Sequence, residues 1–437
     1  MPERSFAELG VALPQILLPK DRASLRKWCV IACDQYTSDR AYWARVEQAI
    51  GQAPSTYHMV LPEVYLQDDD VDARAQRAAD AMQCALDHGV LEALAPGFVL
   101  VRRHFTCHSR CRTGLVMALD LEQYDYRPGS TSLIRATEGT IPARIPPRLR
   151  IRRRAKLELP HIMVLIDDPD CTVIEPLAAQ RQSLCKLYDS ELDFALGHIE
   201  GYFVPQAQAE AVRQALNALF DRLQAQQGEH PMLFAMGDGN HSFATAKAHW
   251  DEVKQTLSPA QRAHHPAHYA LCEVVNLHDE GLAFEAIHRV LFHASGLSAV
   301  DRACQSLRSQ GVQVSDTPQP GAQAITLVCD GQSRTLYITG RLSFVESGTA
   351  DAIIDAICAF TPQAEVDYIH GEAEARALCQ SGGHIGFLLP ALQKADLFDL
   401  VSQHGPLPRK AFSMGEADEK RCYLEARSID STGTLGI

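Results

Sequence analysis

Polar side chains able to take part in catalysis are concentrated in one short segment, Gly237–Ser242. The apolar run Met232–Met236 precedes it, and an alanine-rich run follows it as far as Lys247. Gly237 and Gly239 permit positive φ angles and let the backbone approach a ligand closely. This order of residues predicts a strand, a tight turn and a helix, with the free N–H groups of the helix start forming an anion site.

The side chains within this turn could transfer a proton or hold a metal ion. Asp238 and His241 lie where a strand end meets the helix start, the usual position of ligands in open α/β sheets. Asp238 is also a candidate ligand for Mg²⁺. Asn240 or Ser242 is expected to cap the helix. The alternative is a tight turn whose polar residues only cap, since the segment matches neither a P-loop nor the dinucleotide-binding glycine fingerprint.

A second group of candidate residues lies in an apparent loop beside Gly139. Arg135 and Arg144 are candidates for binding an anionic substrate, with Thr137 between them, because arginine forks suit carboxylate or phosphate groups. Glu138 could accept the proton of a substrate hydroxyl, since a carboxylate of ordinary pKa is ionised at neutral pH. A structural ion pair is the alternative for the charged members of this group.

The chain that follows is strongly basic. Between Arg144 and Lys156 there are seven basic residues and no acidic one, in a protein whose formal net charge is −13. Such a local inversion of charge suits the recognition of anions. For Arg150–Arg154 we favour the other interpretation, a solvated face.

A third candidate segment, Gly405–Glu416, combines two prolines with the adjacent cations Arg409 and Lys410. A rigid loop of this kind could clamp an anionic group. A surface loop without a ligand is the alternative. The hypothesis of a single site requires the segments 135–144, 237–242 and 407–410 to line one pocket, and separate surfaces would contradict it.

Two clusters contain metal-ligand residue types and are nevertheless interpreted as non-metal segments. His104, Cys107, His108 and Cys111 supply atoms that zinc prefers, yet four ligands within eight residues are more crowded than the two separated pairs of an ordinary structural site. Alternate residues of a strand would also point to opposite faces. The segment His264–His268 is interpreted as a polar loop.

Short apolar runs alternate with helical periodicities, which predicts an α/β protein. In this fold a mixed sheet of the α+β type would position these residues. The expected strands are Trp28–Cys33, Phe98–Val101, Leu115–Leu119, Ile162–Ile166 and Met232–Met236. The expected helices follow the caps Thr37–Asp39, run from Val71 to Ala85 before Gly89, run from Val212 to Leu223 before Gly228, and run from Ile353 to Phe360.

A change in the sequence pattern after residue 296 predicts two domains. The main α/β domain, residues 1–296, carries the Gly237–Ser242 turn. The smaller α+β region, residues 297–437, contains a β-hairpin signal over Ala324–Thr339 and the proline-rich basic loop 405–415.

The composition of the 437 residues excludes several classes of protein. Hydrophobic residues at 46% and charged residues at 22% are ordinary globular values, which excludes wholesale disorder. The charge of −13 disfavours a general binder of nucleic acid or anionic membranes. No apolar run approaches the ~20 residues that span a bilayer. The first residues lack a secretory pattern, so we expect a cytoplasmic protein whose cysteines are mostly reduced.

Six segments, spread over nearly the whole chain, carry a family resemblance: Ala32–Thr37, Leu61–Tyr65, Arg135–Thr140, Leu159–Asp168, Gly237–His241 and Leu407–Gly415. Together they resemble the bacterial and archaeal family called domain of unknown function 1015. The family name carries no activity, so this resemblance indicates ancestry rather than function.

A more distant similarity is to the ParB/sulfiredoxin-like superfamily, because many family members carry Asp-Gly-His-His-Arg where that superfamily has Asp-Gly-His-Arg. The superfamily includes nucleotide-hydrolysing DNA-partition proteins, an ATP-using sulfinic-acid reductase and free-serine kinases. The resemblance implies a ParB/sulfiredoxin-like core, elaborated with extra strands and helices, and nucleotide phosphate bound at the helix after the motif. Asp238, Gly239 and His241 match, whereas Asn240 replaces the first histidine and Phe243 occupies the region of the motif's arginine or tyrosine.

The family's association with genes of serine synthesis implies a small hydroxy-acid substrate. We therefore expect a small-molecule phosphoryl-transfer enzyme, most specifically a nucleotide-dependent kinase of serine or a related hydroxy acid that uses ATP or ADP with Mg²⁺. The alternatives are a phosphatase or other hydrolase of a phosphorylated metabolite and a non-catalytic nucleotide- or metabolite-binding protein. The expected partner is a small anionic metabolite, a homodimer is compatible with the sequence, and no membrane or nucleic-acid partner is expected.

Overall fold

The computed structural model describes residues 3–294, 296–340, 342–430 and 435–436. Its contacts divide the chain into two units: unit 1 runs to Leu282 and resumes at Glu416, and unit 2 is Ala283–Gly415. The observed boundary therefore precedes the expected one near residue 297, and two strands lie between them.

Within residues 3–282 the structure describes fourteen strands and eight α-helices. The strands are β1 (Val11–Pro14), β2 (Leu17–Pro19), β3 (Val30–Ile31), β4 (Leu91–Ala93), β5 (Gly97–His104), β6 (Cys111–Asp120), β7 (Tyr124–Asp125), β8 (Ile134–Ala136), β9 (Leu157–Glu158), β10 (Met163–Ile166), β11 (Cys185–Leu192), β12 (Gly197–Pro205), β13 (Phe234–Asp238) and β14 (Tyr269–Asn276). The helices are α1 (Leu25–Trp28), α2 (Arg40–Ile50), α3 (Val71–Asp87), α4 (Ile145–Arg152), α5 (Glu175–Ala179), α6 (Gln206–Gln227), α7 (Asn240–Val253) and α8 (Pro259–His264).

Unit 2 and the final segment complete the set of described elements. Unit 2 contains β15 (Phe284–Glu285), β16 (Ile287–Phe292), α9 (Leu297–Leu307), β17 (Gln313–Ser315), β18 (Gln323–Cys329), β19 (Gln332–Thr339), α10 (Glu346–Phe360), β20 (Glu365–His370), α11 (Glu372–Leu378), β21 (Ile385–Leu388), α12 (Leu397–His404) and β22 (Ser413–Met414). The final segment contains β23 (Cys422–Tyr423), β24 (Arg427–Ser428) and β25 (Leu435–Gly436).

The final segment belongs to unit 1 because its backbone is paired there. β23 lies antiparallel to β3, β24 lies antiparallel to β9, and β25 pairs with β1. The last part of the domain expected over 297–437 therefore belongs to unit 1. The strand pairing responsible is long-range, and no local sequence pattern predicts it.

Eleven strands of unit 1 form one mixed sheet with the main order β11-β12-β5-β6-β14-β10-β13-β8-β7, and β1 pairs with β6 and β25 off this path. β10 runs parallel to β14, and β8 runs parallel to β13 and β7. The other pairings are antiparallel. The predicted α/β class with a mixed sheet is confirmed.

A hydrophobic core lies on each face of this sheet. Alternate residues of a strand point to opposite faces, so one strand contributes to both cores. Phe98 and Leu100 of β5 join one core, which α6 and α7 cover. Val99 and Val101 of the same strand join a second core, which α2 and α3 cover. A strand covered on both faces is apolar throughout, which is why these strands appear in the sequence as continuous hydrophobic runs.

A local sequence signal predicted the start of α2 correctly, whereas the strand before it was predicted too long. Asp39 caps α2, with its carboxylate accepting the N–H of Tyr42, as the segment Thr37–Asp39 predicts. The strand expected over Trp28–Cys33 is shorter: a turn of helix ends at Trp28, and only Val30–Ile31 is extended.

The longest described helix, α6, spans 22 residues and buries the expected stripe that includes Val212, Leu216 and Leu223. Its other positions are largely polar, which makes it a helix that covers one sheet face. Within the described ranges, no helix is both long enough and apolar enough to cross a membrane.

Unit 2 contains a six-stranded antiparallel sheet of order β17-β19-β18-β21-β16-β20. The hairpin expected over Ala324–Thr339 forms as β18 and β19. Asp330 and Gly331 form its two-residue turn with φ angles of 48° and 74°, the positive values that an Asp-Gly hairpin turn requires. Helices α9 and α10 supply residues of the core on one face of this sheet.

Candidate functional site

The segment Gly237–Ser242 folds as the expected strand, turn and helix, with one change in the cap. β13 ends at Asp238, and α7 begins at Asn240 after Gly239, whose φ is 81°. The cap is thus Gly239 rather than Asn240 or Ser242, because the chain turns there in a left-handed conformation that glycine adopts without steric cost. Gly237 lies inside the strand.

Gly239 also allows a close approach between two elements. A Cβ atom at this position would lie 3.2 Å from Cα of Ile162, at the entry to β10. Because glycine has no side chain, α7 begins without a side-chain cap, and the N–H groups of its first turn have no acceptor within the helix. Among the described residues, the buried Oδ1 atom of neighbouring Asn240 has no hydrogen-bond donor.

Asp238 is held as a carboxylate at the end of β13. Its Oδ1 accepts the N–H of Gly239 at 2.9 Å, and its Oδ2 lies 3.3 Å from Nζ of Lys420. Burial alone would raise the pKa of Asp238, but the charges of Lys420 and His161 outweigh that effect and lower the pKa below its ordinary value. A quarter of the Asp238 side chain remains exposed. Asp238 is therefore ionised and accessible next to the start of α7.

His161 occupies the centre of the same cluster. Its Nε2 atom lies 2.8 Å from Oγ of Ser242, and its Nδ1 atom lies 3.0 Å from the hydroxyl of Tyr423. Oδ2 of Asp34 lies 3.8 Å from Nε2. The Tyr423 hydroxyl accepts the N–H of Cys33 at 3.2 Å, which fixes the tyrosine in turn. Four segments distant in sequence, including that of His161 itself, thus meet around one imidazole.

A cavity of about 150 Å³ opens beside this cluster. His161, Ser242, Tyr423 and the ion pair Glu63–Arg148 contribute its polar wall. Cys33, Arg152, Glu158 and Thr245 also line it, and the apolar part of the wall includes Leu61, Leu66, Met82, Ile151, Leu157 and Leu159. A larger depression of about 610 Å³ lies between α2 and α3, but neither Asp238 nor His161 lines it. His161 lines the smaller cavity, whereas Asp238 lines neither of the two.

Burial governs the ionisable groups in the cavity wall. It raises the pKa of Glu63, and Arg148 opposes this rise without cancelling it. Burial also raises the pKa of the Cys33 thiol far above its ordinary value. Cys33 therefore remains a neutral thiol and is a poor nucleophile.

His241 is directed to the second candidate segment. Its Nε2 accepts the N–H of Ile141 at 3.2 Å, so this nitrogen carries no proton in the neutral ring. The contact brings the loop around Gly139, and the partly buried Glu138 within it, to the start of α7. Two of the three expected segments are therefore neighbours in unit 1.

Other members of the second segment serve the fold. Arg135 is buried in β8, and its guanidinium donates to the carbonyls of Ser132 and His230, near the strand's first residues rather than toward the turn. Thr137 is buried and donates to the carbonyl of Met236. Arg144 is exposed in a 3₁₀ turn before α4. These hydrogen bonds to backbone carbonyls give Arg135 and Thr137 a structural role that needs no ligand.

Arg409 and Lys410 lie in unit 2 and are exposed. Their carbonyls accept hydrogen bonds from the buried guanidinium of Arg289, and the guanidinium of Arg409 lies 5.3 Å from the ring centre of Tyr368. The buried side chain of Arg289 thus fixes the backbone of this loop in unit 2. The role expected for the loop in an anion site stays a prediction.

The basic run after Arg144 is neutralised by acidic residues of other elements. Arg148 pairs with Glu63, Arg150 and Arg154 pair with Asp72, Arg152 pairs with Glu158, and Arg153 pairs with Glu252. The solvated face expected for 150–154 is correct for Arg150 and Arg153, but Arg152 is largely buried in its pair.

Cys107 and His108 meet a distant carboxylate rather than their neighbours in sequence. Their ligand atoms and those of Glu419 all lie within 4.8 Å of one another. Nδ1 of His108 accepts the N–H of Arg110, so the neutral ring carries its proton on Nε2 and donates it to Glu419. The guanidinium of Arg110 is also 3.6 Å from Glu419. These contacts favour a salt-bridged hydrogen-bond group over a metal centre.

Sequence reasoning missed four residues of the cluster. Asp34 and His161 lie inside two of the resembling segments, whose polar residues within apolar runs were an available signal. Lys420 and Tyr423 lie in the final segment, where no local pattern marks them.

Several solved structures are similar to this chain. Free serine kinase in complex with AMP is 11% identical, with a TM-score of 0.38, over 72% of this chain and 91% of that one. A conserved hypothetical protein from Pyrococcus furiosus is 11% identical, with a TM-score of 0.35, over 72% of this chain and 95% of that one. SbnI from Staphylococcus aureus, truncated at its C-terminus, is 10% identical, with a TM-score of 0.36, over 69% and 82%.

No curated protein matches the sequence significantly. A family model does match, and it covers residues 15–353, well over half of the chain. That model includes five of the six segments on which the resemblance was based. The chain therefore belongs to the family described as "Protein of unknown function (DUF1015)".

Proposed function

We propose that the protein is a small-molecule phosphoryl-transfer enzyme, specifically a nucleotide-dependent kinase of serine or a related hydroxy acid. The observation that carries the proposal is the assembly of Asp238, Lys420, His161 and Ser242 around the uncapped start of α7. Phosphoryl transfer requires positioning of the reactants and neutralisation of spread negative charge. This cluster offers both.

The start of α7 and Lys420 are the elements that bind phosphate in this proposal. Uncapped N–H groups and the helix dipole favour an anion at this position. Lys420 adds a full positive charge, and its contact with Asp238 holds it beside the turn. The more distant ParB/sulfiredoxin-like relation agrees with this placement, since Asp238, Gly239 and His241 match its motif.

His161 is the proton acceptor in this proposal. Its Nε2 lies 2.8 Å from the hydroxyl of Ser242, and this hydrogen-bond distance to an oxygen supports the role. Asp34, at 3.8 Å, stabilises the imidazolium that proton uptake produces. Glu138 and His241, expected to act directly, remain predicted contributors on the neighbouring loop and helix face.

The residues fit a nucleotide-bound Mg²⁺ through oxygen donors. Mg²⁺ prefers one or two carboxylates together with substrate phosphates. Asp34, Asp238 and the unpaired amide oxygen of Asn240 would supply such donors, although Lys420 competes for Asp238. When bound, the ion would neutralise charge on the phosphates. Arg409 and Lys410 remain candidate anion-binding residues of unit 2.

A steady-state assay tests the proposal. The protein is incubated with ATP or ADP and a panel of hydroxy acids that includes serine, and nucleotide turnover is measured. We expect turnover that depends on the hydroxy acid and a loss of about 100-fold in kcat/KM in Asp238→Asn. Asp251→Asn on α7 is the matched control, because Asp251 also pairs with lysines but lies outside the cluster. Equal turnover by wild type and Asp238→Asn would remove the proposed site.

The phosphatase alternative is favoured by one specific observation. A serine hydroxyl hydrogen-bonded to an imidazole is an arrangement that hydrolases also use. Release of inorganic phosphate from phosphoserine without any nucleotide would support that function instead.

A further inference from the structure

We propose that Ser242 is the nucleophile of this site and carries the phosphoryl group as a covalent intermediate. The inference rests on the proposed function, and it replaces direct transfer between donor and acceptor by two successive transfers. Its basis is the contact between Oγ of Ser242 and Nε2 of His161, at 2.8 Å.

An activated nucleophile is recognised by a base within hydrogen-bond reach and by a third group that orients the base. Nδ1 of His161 lies 3.0 Å from the Tyr423 hydroxyl, which supplies that third group. The Cys33 N–H donates to the same hydroxyl, leaving a second lone pair for the Nδ1 proton. In this tautomer Nε2 is an acceptor and takes the hydroxyl proton of Ser242.

The surroundings favour negative charge on Ser242. The residue lies in the first turn of α7, where the helix dipole stabilises a developing oxyanion. Asp34 faces Nε2 of His161 at 3.8 Å and stabilises the imidazolium that forms. Ser242 is only partly buried and lines the cavity, so a donor can reach it.

The other nucleophilic side chains of the cavity wall are unsuitable. Burial keeps the Cys33 thiol protonated, because it raises its pKa. The Thr245 hydroxyl donates to the carbonyl of His241 at 2.7 Å and belongs to the helix. Among the described residues that line this cavity, Ser242 alone combines exposure with an adjacent imidazole.

The first transfer is balanced as follows. Oγ of Ser242 attacks the terminal phosphorus of the nucleotide, and its proton moves to Nε2 of His161. The new Oγ–P bond forms as the bond from phosphorus to the bridging oxygen breaks, and the electron pair leaves with the shortened nucleotide. In the second transfer, the hydroxyl oxygen of the acceptor attacks phosphorus and loses its proton to solvent. The Oγ–P bond breaks, and the proton on His161 returns to Oγ.

The experiment uses the full-length protein and nucleotide labelled on its terminal phosphate, with Mg²⁺ and without a hydroxy acid. Acid quenching at short times traps protein-bound label, and peptide mass spectrometry locates the added phosphoryl group. Exchange of label between the two forms of the nucleotide is measured in parallel, because a covalent intermediate allows it without any acceptor. Nucleotide affinity is determined separately by calorimetry.

We expect label on Ser242 of the wild type and its complete loss, together with loss of exchange, in Ser242→Ala. Tyr423→Phe should slow labelling about 10-fold while nucleotide affinity is retained, since it acts only by orienting His161. Ser258→Ala is the matched control, because Ser258 begins another helix and is exposed. It should label as the wild type does.

Two other results would separate the two proposals. Phosphorylation of the hydroxy acid by Ser242→Ala at the wild-type rate, or label on another residue, would overturn the covalent intermediate and leave the kinase proposal intact. A wild type that neither binds nucleotide nor turns it over would overturn both.

Discussion

His161 and Ser242 are 81 residues apart in the sequence, yet Nε2 of one lies 2.8 Å from Oγ of the other. The pairing of β10 with β13 explains this contact. The two strands are antiparallel, and Met163 at the start of β10 lies opposite Asp238 at the end of β13. His161, two residues before β10, and the first turn of α7 after β13 therefore meet at the same end of the two paired strands.

The backbone at Gly239 should tolerate no side chain. In Gly239→Ala a left-handed φ is combined with a contact of 3.2 Å between the new Cβ and Cα of Ile162. We expect a loss of about 3 kcal/mol in the free energy of unfolding and loss of nucleotide turnover. Gly311→Ala, with a φ of 82° and open space around the site, should cost about 1 kcal/mol. Urea denaturation compares the two, and equal losses would contradict the role of Ile162.

Removal of Lys420 should shift the titration of Asp238. Burial raises the pKa of this carboxyl, and Lys420 is the largest of the opposing effects. In Lys420→Met we expect the pKa of Asp238 to rise, so that the acid limb of the pH–rate profile moves up by about one pH unit. Lys247→Met, which removes a lysine paired with Glu122 and Asp251 outside the cluster, serves as the control. An unchanged acid limb in Lys420→Met would argue against the ion pair.

His249 on α7 should make the fold sensitive to moderate acid. Burial, followed by the charge of Arg152, lowers its pKa from 6.5 to about 4. As the pH falls between these values, the unfolded chain takes up a proton that the folded protein does not, so stability falls. We expect a loss on the order of 2 kcal/mol, allowing for partial exposure.

Chemical denaturation across this pH range measures the effect. His249→Gln should remove most of the dependence, whereas His264→Gln, which removes an exposed imidazole of α8, should leave it. If His249→Gln retains the full loss of stability, another group is responsible.

The ion pair between Arg148 and Glu63 should contribute more to the free energy of unfolding than the exposed ion pairs of the same basic run. Nε of Arg148 donates to Glu63 at 2.8 Å, and about one sixth of each side chain is exposed. Arg148→Met leaves a buried carboxyl beside Asp34 and should cost about 2 kcal/mol. Glu63→Gln added to that variant should recover part of the loss, and thermal unfolding of single and double variants measures both.

The comparison for this pair is Arg153, whose contact with Glu252 is exposed on both sides. Arg153→Met should cost less than about 1 kcal/mol. Similar losses for the two arginines would show that burial does not distinguish them.

Elements with a local signal could be predicted from the sequence. Asp39 before α2, Gly228 after α6 and the turn at Asp330-Gly331 each act through neighbouring backbone groups, so their positions follow from short-range chemistry. The strand, turn and helix around Gly239 belong to the same class. Only the predicted cap is wrong: the helix is capped at Gly239, which adopts a left-handed conformation, and not at Asn240 or Ser242.

The cluster itself could not be predicted, because sheet pairing and the return of the final segment create it. Lys420 lies next to Asp238 because β23 pairs with β3. Arg135 shows the converse: it looked like an exposed loop cation, but it lies inside β8, and carbonyl groups satisfy its guanidinium. Burial and pairing partner, which decided both cases, are properties of the tertiary structure.

The placement of unit 2 between Leu282 and Glu416 has a consequence for biosynthesis. A nascent chain on the ribosome contains β13 and α7 long before Lys420 and Tyr423 emerge. Until Lys420 and Tyr423 have been translated, Asp238 lacks its ammonium partner and His161 lacks the hydroxyl that contacts its Nδ1 atom. Fragments that stop within unit 2 therefore lack two residues of the proposed site and should be inert toward nucleotides.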